Sequence, residues 1–366
     1  MGVRDRIGAS FMSMMQAELF GCDDPRWGDT TAALPHDFYQ MSEYARIEAT
    51  RLDAVAQAVR VRDGDRWLFI PYLRRTCDQA SATYFDATSA YGYPGILLSP
   101  SAHDRSFFST AFGQIVNLLR EQRIVSLFVR MHPLLNADVP AFAPDGLLHE
   151  EGDTVAFDLS GTEEQIFRGM REGHRVTVRK VREAGFTTRV VPLAEHIDSF
   201  VETYRQTMDR VRAKDTYYFD RAYYESLAAM PDVFRLHVAE KDGEPAAACI
   251  ISECQGTMQA HLGGTRDAYL SASPFHCVLF DAAIWGKSRG NRYLHLGGGL
   301  GGKSDRLLSF KSGFSSKRFR FQTIRLISDE DAYRGLVDAR AGSEGVSPDR
   351  FLESGFFPAY RATLEL

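Results

Sequence analysis

Five cysteines are scattered along 366 residues, at 22, 77, 249, 254 and 277, and no two make a C-x-x-C pair. An odd number of dispersed thiols reads as buried small apolar side chains in a reducing compartment. No apolar run reaches the length of a membrane span. The start, Met1 to Gly21, carries Arg4 and Arg6, but Ser13, Gln16 and Glu18 break its apolar patch. No signal peptide is therefore expected, and the expected location is cytoplasmic. A net charge of −5 gives no global attraction to nucleic acid, so any RNA contact needs a local basic patch. His237, His261, His276 and His295 alternate with apolar residues without metal-ligand spacing, so no metal is expected and no cofactor is invoked. The absence of G-x-S-x-G or another nucleophile motif argues against a covalent intermediate.

What is present is an ordinary globular composition, 44% hydrophobic and 25% charged, in a chain long enough for two cores. The most informative stretch is 292–315, where a β-like run from Tyr293 to Leu296 empties into five glycines, followed by Lys303-Ser304 and, after a short apolar-polar stretch, Phe310-Lys311. Gly297 to Ser304 fits G-x-x-x-x-G-K-[ST] letter for letter. A phosphate-binding loop needs several βα units after it, yet only 62 residues follow Ser304, and Ser312-Gly313 interrupt the next helix. The alternatives are a glycine turn without a ligand, or a loop that brings backbone amides close to a substrate.

The patterning predicts alternating helices and strands. A helix over 37–57, a strand over 67–74, a turn-rich loop over 84–98, a helix over 107–121 and strands over 124–131 and 155–159 make the first set. Ser160-Gly-Thr-Glu-Glu then opens a helix over 163–184 with cap residues and first-turn acids. Strand 186–191, helices 195–212 and 220–229, three strands joined partly by a Lys241-Asp-Gly-Glu244 hairpin, helix 274–289 and strand 292–296 follow. Within 163–184, Arg168, Arg171, Arg175, Arg179 and Arg182 recur at helical spacing. They make either a solvated face of snorkelling side chains or a phosphate-binding stripe. Arg171, Arg175 and Arg179 are the candidate tRNA contacts.

Helix, β-meander, helix, strand is the plan of a GNAT acyltransferase domain, and several segments together resemble the FemABX family of aminoacyl-tRNA-dependent amide ligases. The segments are 84–95, Phe128 to Leu135, the Arg-rich run ending Arg179-Lys-Val-Arg-Glu-Ala-Gly185, Tyr204 to Arg210 with Tyr217-Tyr218-Phe219, and Leu296-Gly-Gly-Gly through Phe314. The resemblance implies an α/β fold of mixed sheets, with two tandem GNAT-like acyltransferase domains. The expected divisions are 1–158, 159–335 with the glycine-rich loop, and a tail over 336–366 packing on the first domain. It also implies transfer of an amino acid from the 3′ ester of a charged tRNA to an amine, by direct aminolysis. By this resemblance Phe310 stacks on the terminal adenine and Lys311 stabilises the oxyanion. Members carry an acidic residue soon after a Gly-Pro turn; here Pro94-Gly95 is followed by Ile-Leu-Leu-Ser99, and Asp86 is the substitute candidate for proton handling. The second domain has no room for the helical arm that some members insert.

The remaining substrate-binding candidates are Gly297, Gly298 and Gly299, Tyr91 and Tyr93 in the turn-rich loop, Arg130 and His132 at a strand end, and Arg210, Tyr217 and Tyr218 near a helix end. For each, packing or turn chemistry is the competing explanation. The expected partners are an aminoacyl-tRNA donor and a small amine-bearing or peptidyl acceptor, such as a peptidoglycan precursor. An acyl-CoA-dependent N-acyltransferase is the alternative. The Q/R-x-x-G-x-G/A run usual between a central strand and its following helix in CoA-binding GNAT domains is found in neither half.

Overall fold

The computed structural model describes residues 15–77 and 83–364, so much of the N-terminal stretch read for a targeting signal lies outside the described residues. Among the described residues one mixed sheet contains thirteen strands: β1 Gln16–Gly21, β2 Val55–Asp63, β3 Arg66–Thr76, β4 Phe85–Thr88, β5 Leu97–Leu98, β6 Ile124–Arg130, β7 Leu148–Asp158, β8 Thr187–Pro192, β9 Phe234–Lys241, β10 Glu244–Cys254, β11 Thr257–Thr265, β12 Tyr293–Gly298 and β13 Arg318–Ile327. Their order is β1-β2-β3-β4-β6-β13-β7-β12-β11-β10-β9-β8, with β5 beside β3. Read outward from the β13–β7 pair, the two sides mirror each other. Each has first one parallel pair, β6 with β4 on one side and β12 with β11 on the other, and then an antiparallel meander of four strands running to the edge. This is the tandem GNAT-like α/β architecture.

The halves exchange strands at the centre. β7 follows β6 in the chain but pairs with β12, and β13 follows β12 but pairs with β6. β7 and β13 then pair antiparallel with each other. Period-two alternation sends side chains to both faces. In β3, Leu68, Ile70 and Tyr72 enter a core with the helix Arg105–Glu121, while Phe69 and Leu73 enter another. That second core takes Trp27, Phe38 and Tyr44 from the first half of the chain and Phe200, Tyr204, Tyr224 and Phe234 from the second.

Several sequence expectations change. The first helix is shorter than 37–57: a 3-10 turn over Phe38–Gln40 precedes the helix Ser42–Arg51, and β2 takes the rest. β1 and the helix Pro25–Ala33 precede residue 37, where the patterning predicts its first element. The arginine helix is two helices, Glu163–Gly169 and Glu172–Glu183, parted where Met170 and Arg171 adopt extended ψ values of 150° and 144°. The Asp242-Gly243 turn has φ of 53° and 82°, the positive pair that a two-residue hairpin requires.

The C-terminal residues pack beside β6. Tyr333, Val337, Phe351 and Tyr360 form a cluster with Val125, and the Tyr360 hydroxyl lies 2.9 Å from Ser126 Oγ. Asp86, on β4 and fully buried, binds Arg75 at 2.8 Å through one oxygen and Arg361 through the other. An acidic residue held by two guanidinium groups is an anchor for the tail, since both its oxygens already accept charged hydrogen bonds. Asp86→Asn is expected to cost about 3 kcal/mol of stability in urea unfolding, because two partly buried arginines lose their counter-charge. The folded variant is expected to keep its catalytic constants. A stable but inactive variant would restore Asp86 to proton handling.

Candidate functional site

The parallel pairing of β11 with β12 lasts three rungs, Thr257–Tyr293, Met258–Leu294 and Gln259–His295. At the next residues β12 bulges against β7, between His295 and Gly297, and Gly297 takes φ +77°. Only glycine adopts that conformation without strain. Beyond that rung β12 no longer pairs with β11, and the amide and carbonyl of Gly298 meet side chains instead.

The later glycines serve backbone approach. A Cβ on Gly298 would lie 2.7 Å from Asp153 O, and one on Gly302 would collide with Glu151 O. Asp305 closes the loop: Oδ2 accepts from Leu300 N and Oδ1 from Leu308 N, each at 2.8 Å. A carboxylate therefore occupies amide donors that a phosphate would need. Lys303 is exposed, and the helix after it, Arg306–Lys311, has six residues. The match to a phosphate-binding loop is one of letters only.

Lys311 ends that helix, and its Nζ donates to Gly298 O at 2.7 Å. Gly298 N donates to the Tyr93 hydroxyl at 3.3 Å. A Cβ on Gly297 would lie 3.2 Å from Lys311 Nζ and 3.3 Å from Tyr93 Oη, so glycine lets an ammonium and a phenol close on the backbone here. Burial pushes the Lys311 ammonium down to about 8, partly opposed by the Asp305 charge. Phe310 precedes it half-buried, its ring 5.1 Å from both His276 and Phe314, and its carbonyl 3.0 Å from His174 Nε2.

Behind the bulge a buried polar chain crosses between the halves. Asp37 Oδ2 lies 3.0 Å from His132 Nε2 and accepts from Gln259 Nε2 at 2.7 Å. Gln259 Oε1 lies 2.6 Å from His295 Nδ1. All four side chains are essentially inaccessible to solvent. The Tyr93 ring packs on His295 with centroids 5.1 Å apart. Burial, reinforced by the Lys311 charge, holds His295 neutral, far below the ordinary imidazole range. The sequence assigned Gln259, His295 and Asp37 no role. A polar residue opposite a polar residue on adjoining strands was their only trace.

Tyr91, Tyr93, Arg130 and Tyr217 do come together. The Tyr91 and Tyr217 rings are 6.5 Å apart, and the Arg130 guanidinium acts electrostatically on both Tyr91 and Tyr93. Arg130 donates to the carbonyls of Ser89 and Ala90, each at 3.3 Å, and has no ion-pair partner among the described residues. Buried Glu48 accepts from Tyr91 N at 3.1 Å and holds the loop. His132 is structural: Leu134 N and Leu135 N donate to its Nδ1, leaving Nε2–H for Asp37.

Other candidates are committed elsewhere. Arg210 binds Asp267 and the carbonyl of Thr265, tying its helix to the end of β11. The Tyr218 hydroxyl donates to Asp209 at 2.8 Å. Asp86 shares no contact with Lys311 among the described residues; its partners are Arg75 and Arg361. Arg171 donates to Ser309 O, tying the helix break to the helix that carries Lys311, and Arg175 donates to Met170 O within the break. Arg179 lies 5.2 Å over the Phe167 ring and shares an open surface concavity with Arg168 and Arg175. Among the described residues no group of His, Cys, Asp and Glu is placed to hold a metal, and no helix is long and apolar enough to cross a membrane.

Comparison with known proteins agrees with this architecture. Residues 168–305 match the family described as acetyltransferase (GNAT) domain. The solved structure of FemX superimposes with a TM-score of 0.66 at 11% identity, over 87% of this chain and 99% of that one. A conserved protein of unknown function from Bacteroides thetaiotaomicron VPI-5482 gives 0.54 at 10% identity, over 86% and 100%. No curated protein matches. The chain thus has the fold of FemX, and its residues 168–305 are similar to a GNAT acetyltransferase domain.

The depressed Lys311 value makes a prediction independent of activity. The ordinary value of 10.5 applies to the unfolded chain, and about 8 to the folded one. Between these the unfolded state binds more protons, so charged Lys311 costs stability below pH 8 and the cost is relieved as pH rises toward 10.5. Lys311→Met is expected to be most stable relative to wild type below pH 8, with the difference shrinking over that window in denaturant titrations. A difference that stays flat with pH would mean an ordinary, solvated lysine.

Proposed function

We propose that this acyltransferase moves an amino acid from an aminoacyl-tRNA to an amine of a peptidoglycan precursor or another small metabolite, forming an amide bond. The observation that carries this reading is the contrast between two loops. The segment 266–274, between β11 and the helix Phe275–Ser288, contains no glycine. That is the position at which a CoA-dependent domain needs close-approach glycines for pyrophosphate. The glycines stand instead after β12, where Lys311 and Tyr93 hold the opened backbone.

In this reading the ester carbonyl lies over Gly297, with its oxygen toward Lys311. The acceptor amine attacks the carbonyl carbon, and the ammonium stabilises the negative charge that develops on oxygen. The 3′ oxygen of the tRNA leaves with a proton. Direct attack by an amine needs no covalent enzyme intermediate. Phe310 stacks on the terminal adenine, while Arg171, Arg175 and Arg179 attract the acceptor stem. Tyr91, Tyr217 and the unpaired Arg130 line the approach of the acceptor. Cytoplasmic charged tRNA is the donor pool.

The test is incubation with a pool of radiolabelled aminoacyl-tRNAs and small amines, with acetyl-CoA in parallel. Ribonuclease-sensitive transfer is expected; transfer from acetyl-CoA alone would replace the donor. Lys311→Ala is expected to lower kcat by roughly 10²–10³-fold, the scale of losing one oxyanion donor. Phe310→Ala should weaken binding of the charged end by about 1–3 kcal/mol. Lys303→Ala should change little; an indispensable Lys303 with magnesium-nucleotide binding would revive the phosphate loop.

Changing Arg171, Arg175 and Arg179 together to Gln is expected to weaken RNA binding and flatten its salt dependence in filter-binding assays. Loss of the Arg175 bond to Met170 O should also cost about 1 kcal/mol of stability. Unchanged affinity at low salt would make the stripe a solvated face.

A further inference from the structure

His295 Nε2 is a buried nitrogen with no hydrogen-bond partner among the described residues. Such a group costs free energy and calls for an explanation. Its neighbours fix what it can do. His132 Nδ1 accepts from two backbone amides, so its proton is on Nε2 and points to Asp37. The Gln259 amide also donates to Asp37, which turns its carbonyl oxygen toward His295. That oxygen only accepts, so the His295 proton is on Nδ1. Nε2 therefore carries a bare lone pair.

The chain of bonds has one direction. Negative charge on Asp37 polarises the Gln259 amide, and the amide enriches the imidazole through Nδ1. The groups facing His295 from other elements are the Tyr93 ring and the Lys311 charge. The same two side chains close on Gly297, two residues along β12. The Gln259–His295 rung is the last before β12 leaves β11, so His295 stands at the border of the part of the sheet that opens.

We propose that His295 Nε2 accepts an N–H of the attacking amine, with Gln259, Asp37 and His132 as the positioning residues that keep it an acceptor. This rests on the amide-forming reading above. A neutral imidazole beside an ammonium divides the labour: Lys311 donates toward the carbonyl oxygen, and His295 receives from the nucleophile. Holding one N–H aims the nitrogen lone pair at the carbonyl carbon. Asp37 and His132 come from the first half of the chain, so that half supplies the nucleophile's orientation although Lys311 lies in the second.

The discriminating variant is His295→Asn. Its amide NH₂ replaces the Nδ1–H donor to Gln259 and has nothing to replace Nε2. It is expected to keep the melting temperature while kcat/KM for the acceptor amine falls about 10- to 100-fold, the scale of one hydrogen bond to a charged or charging group. KM for the charged tRNA should stay unchanged. His295→Gln, whose longer amide reaches the Nε2 position with an oxygen, should recover part of the loss. In full-length protein with ¹⁵N-labelled histidine, His295 should be the Nδ1–H tautomer, and L-lysinamide should shift its Nε2 resonance. Unchanged kcat/KM in His295→Asn, an Nε2–H tautomer, or an Nε2 resonance indifferent to L-lysinamide would overturn the proposal. Absence of transfer from charged tRNA by wild type would overturn the donor assignment alone; the tautomer and the amine titration would still decide His295.

Discussion

The parting of β12 from β11 at a single glycine is the constraint on which the site depends. A strand pair that continued past Gln259–His295 would satisfy its own backbone and leave nothing for a side chain to meet. The bulge at Gly297 removes that option, and the orphaned groups of Gly298 must find partners elsewhere. They find Lys311 from the following helix and Tyr93 from the other half of the chain. The ammonium is buried there, and burial lowers its affinity for the proton. Backbone geometry, burial and charge are thus set by one left-handed residue.

Much of this was legible as pattern, and much was not. The meander, the Asp-Gly hairpin and the glycine run announce themselves through local chemistry, because turn residues and period-two alternation act within a few residues. Phe310-Lys311 could be singled out as well, though spacing alone could not say that Nζ turns back to Gly298 O. The arginine helix failed for a tertiary reason. Arg171 and Arg175 have better partners in the carbonyls of Ser309 and Met170 than in a continuous stripe, and the helix breaks to reach them. The glycine-rich loop misleads in the opposite sense. Its letters satisfy a phosphate cradle, but Asp305 supplies the anion from within.

The buried chain from Asp37 to His295 was illegible because its members stand far apart in sequence and each has an ordinary local excuse. Asp37 caps a 3-10 turn, His132 follows a strand, and Gln259 and His295 sit on alternating strands. Only the juxtaposition of the halves converts four scattered polar residues into one oriented array. Asp86 is the reverse case: a lone acid in a turn-rich stretch invites a chemical role, and in the fold its two oxygens meet Arg75 and Arg361.

The exchange of β7 and β13 has a consequence for how the chain comes off the ribosome. β6 is complete by residue 130, yet its partner on the open side is β13, which begins at Arg318. For most of synthesis β6 presents an unpaired edge, the kind of surface that recruits strands from other molecules. Synthesis at about 5–20 residues per second leaves that edge uncovered for roughly ten seconds or more. The two halves, alike in plan, are therefore not alike in history: the earlier one waits for the later to finish it. Cutting the chain at the helix that opens the second half would separate each half from a strand of its own sheet.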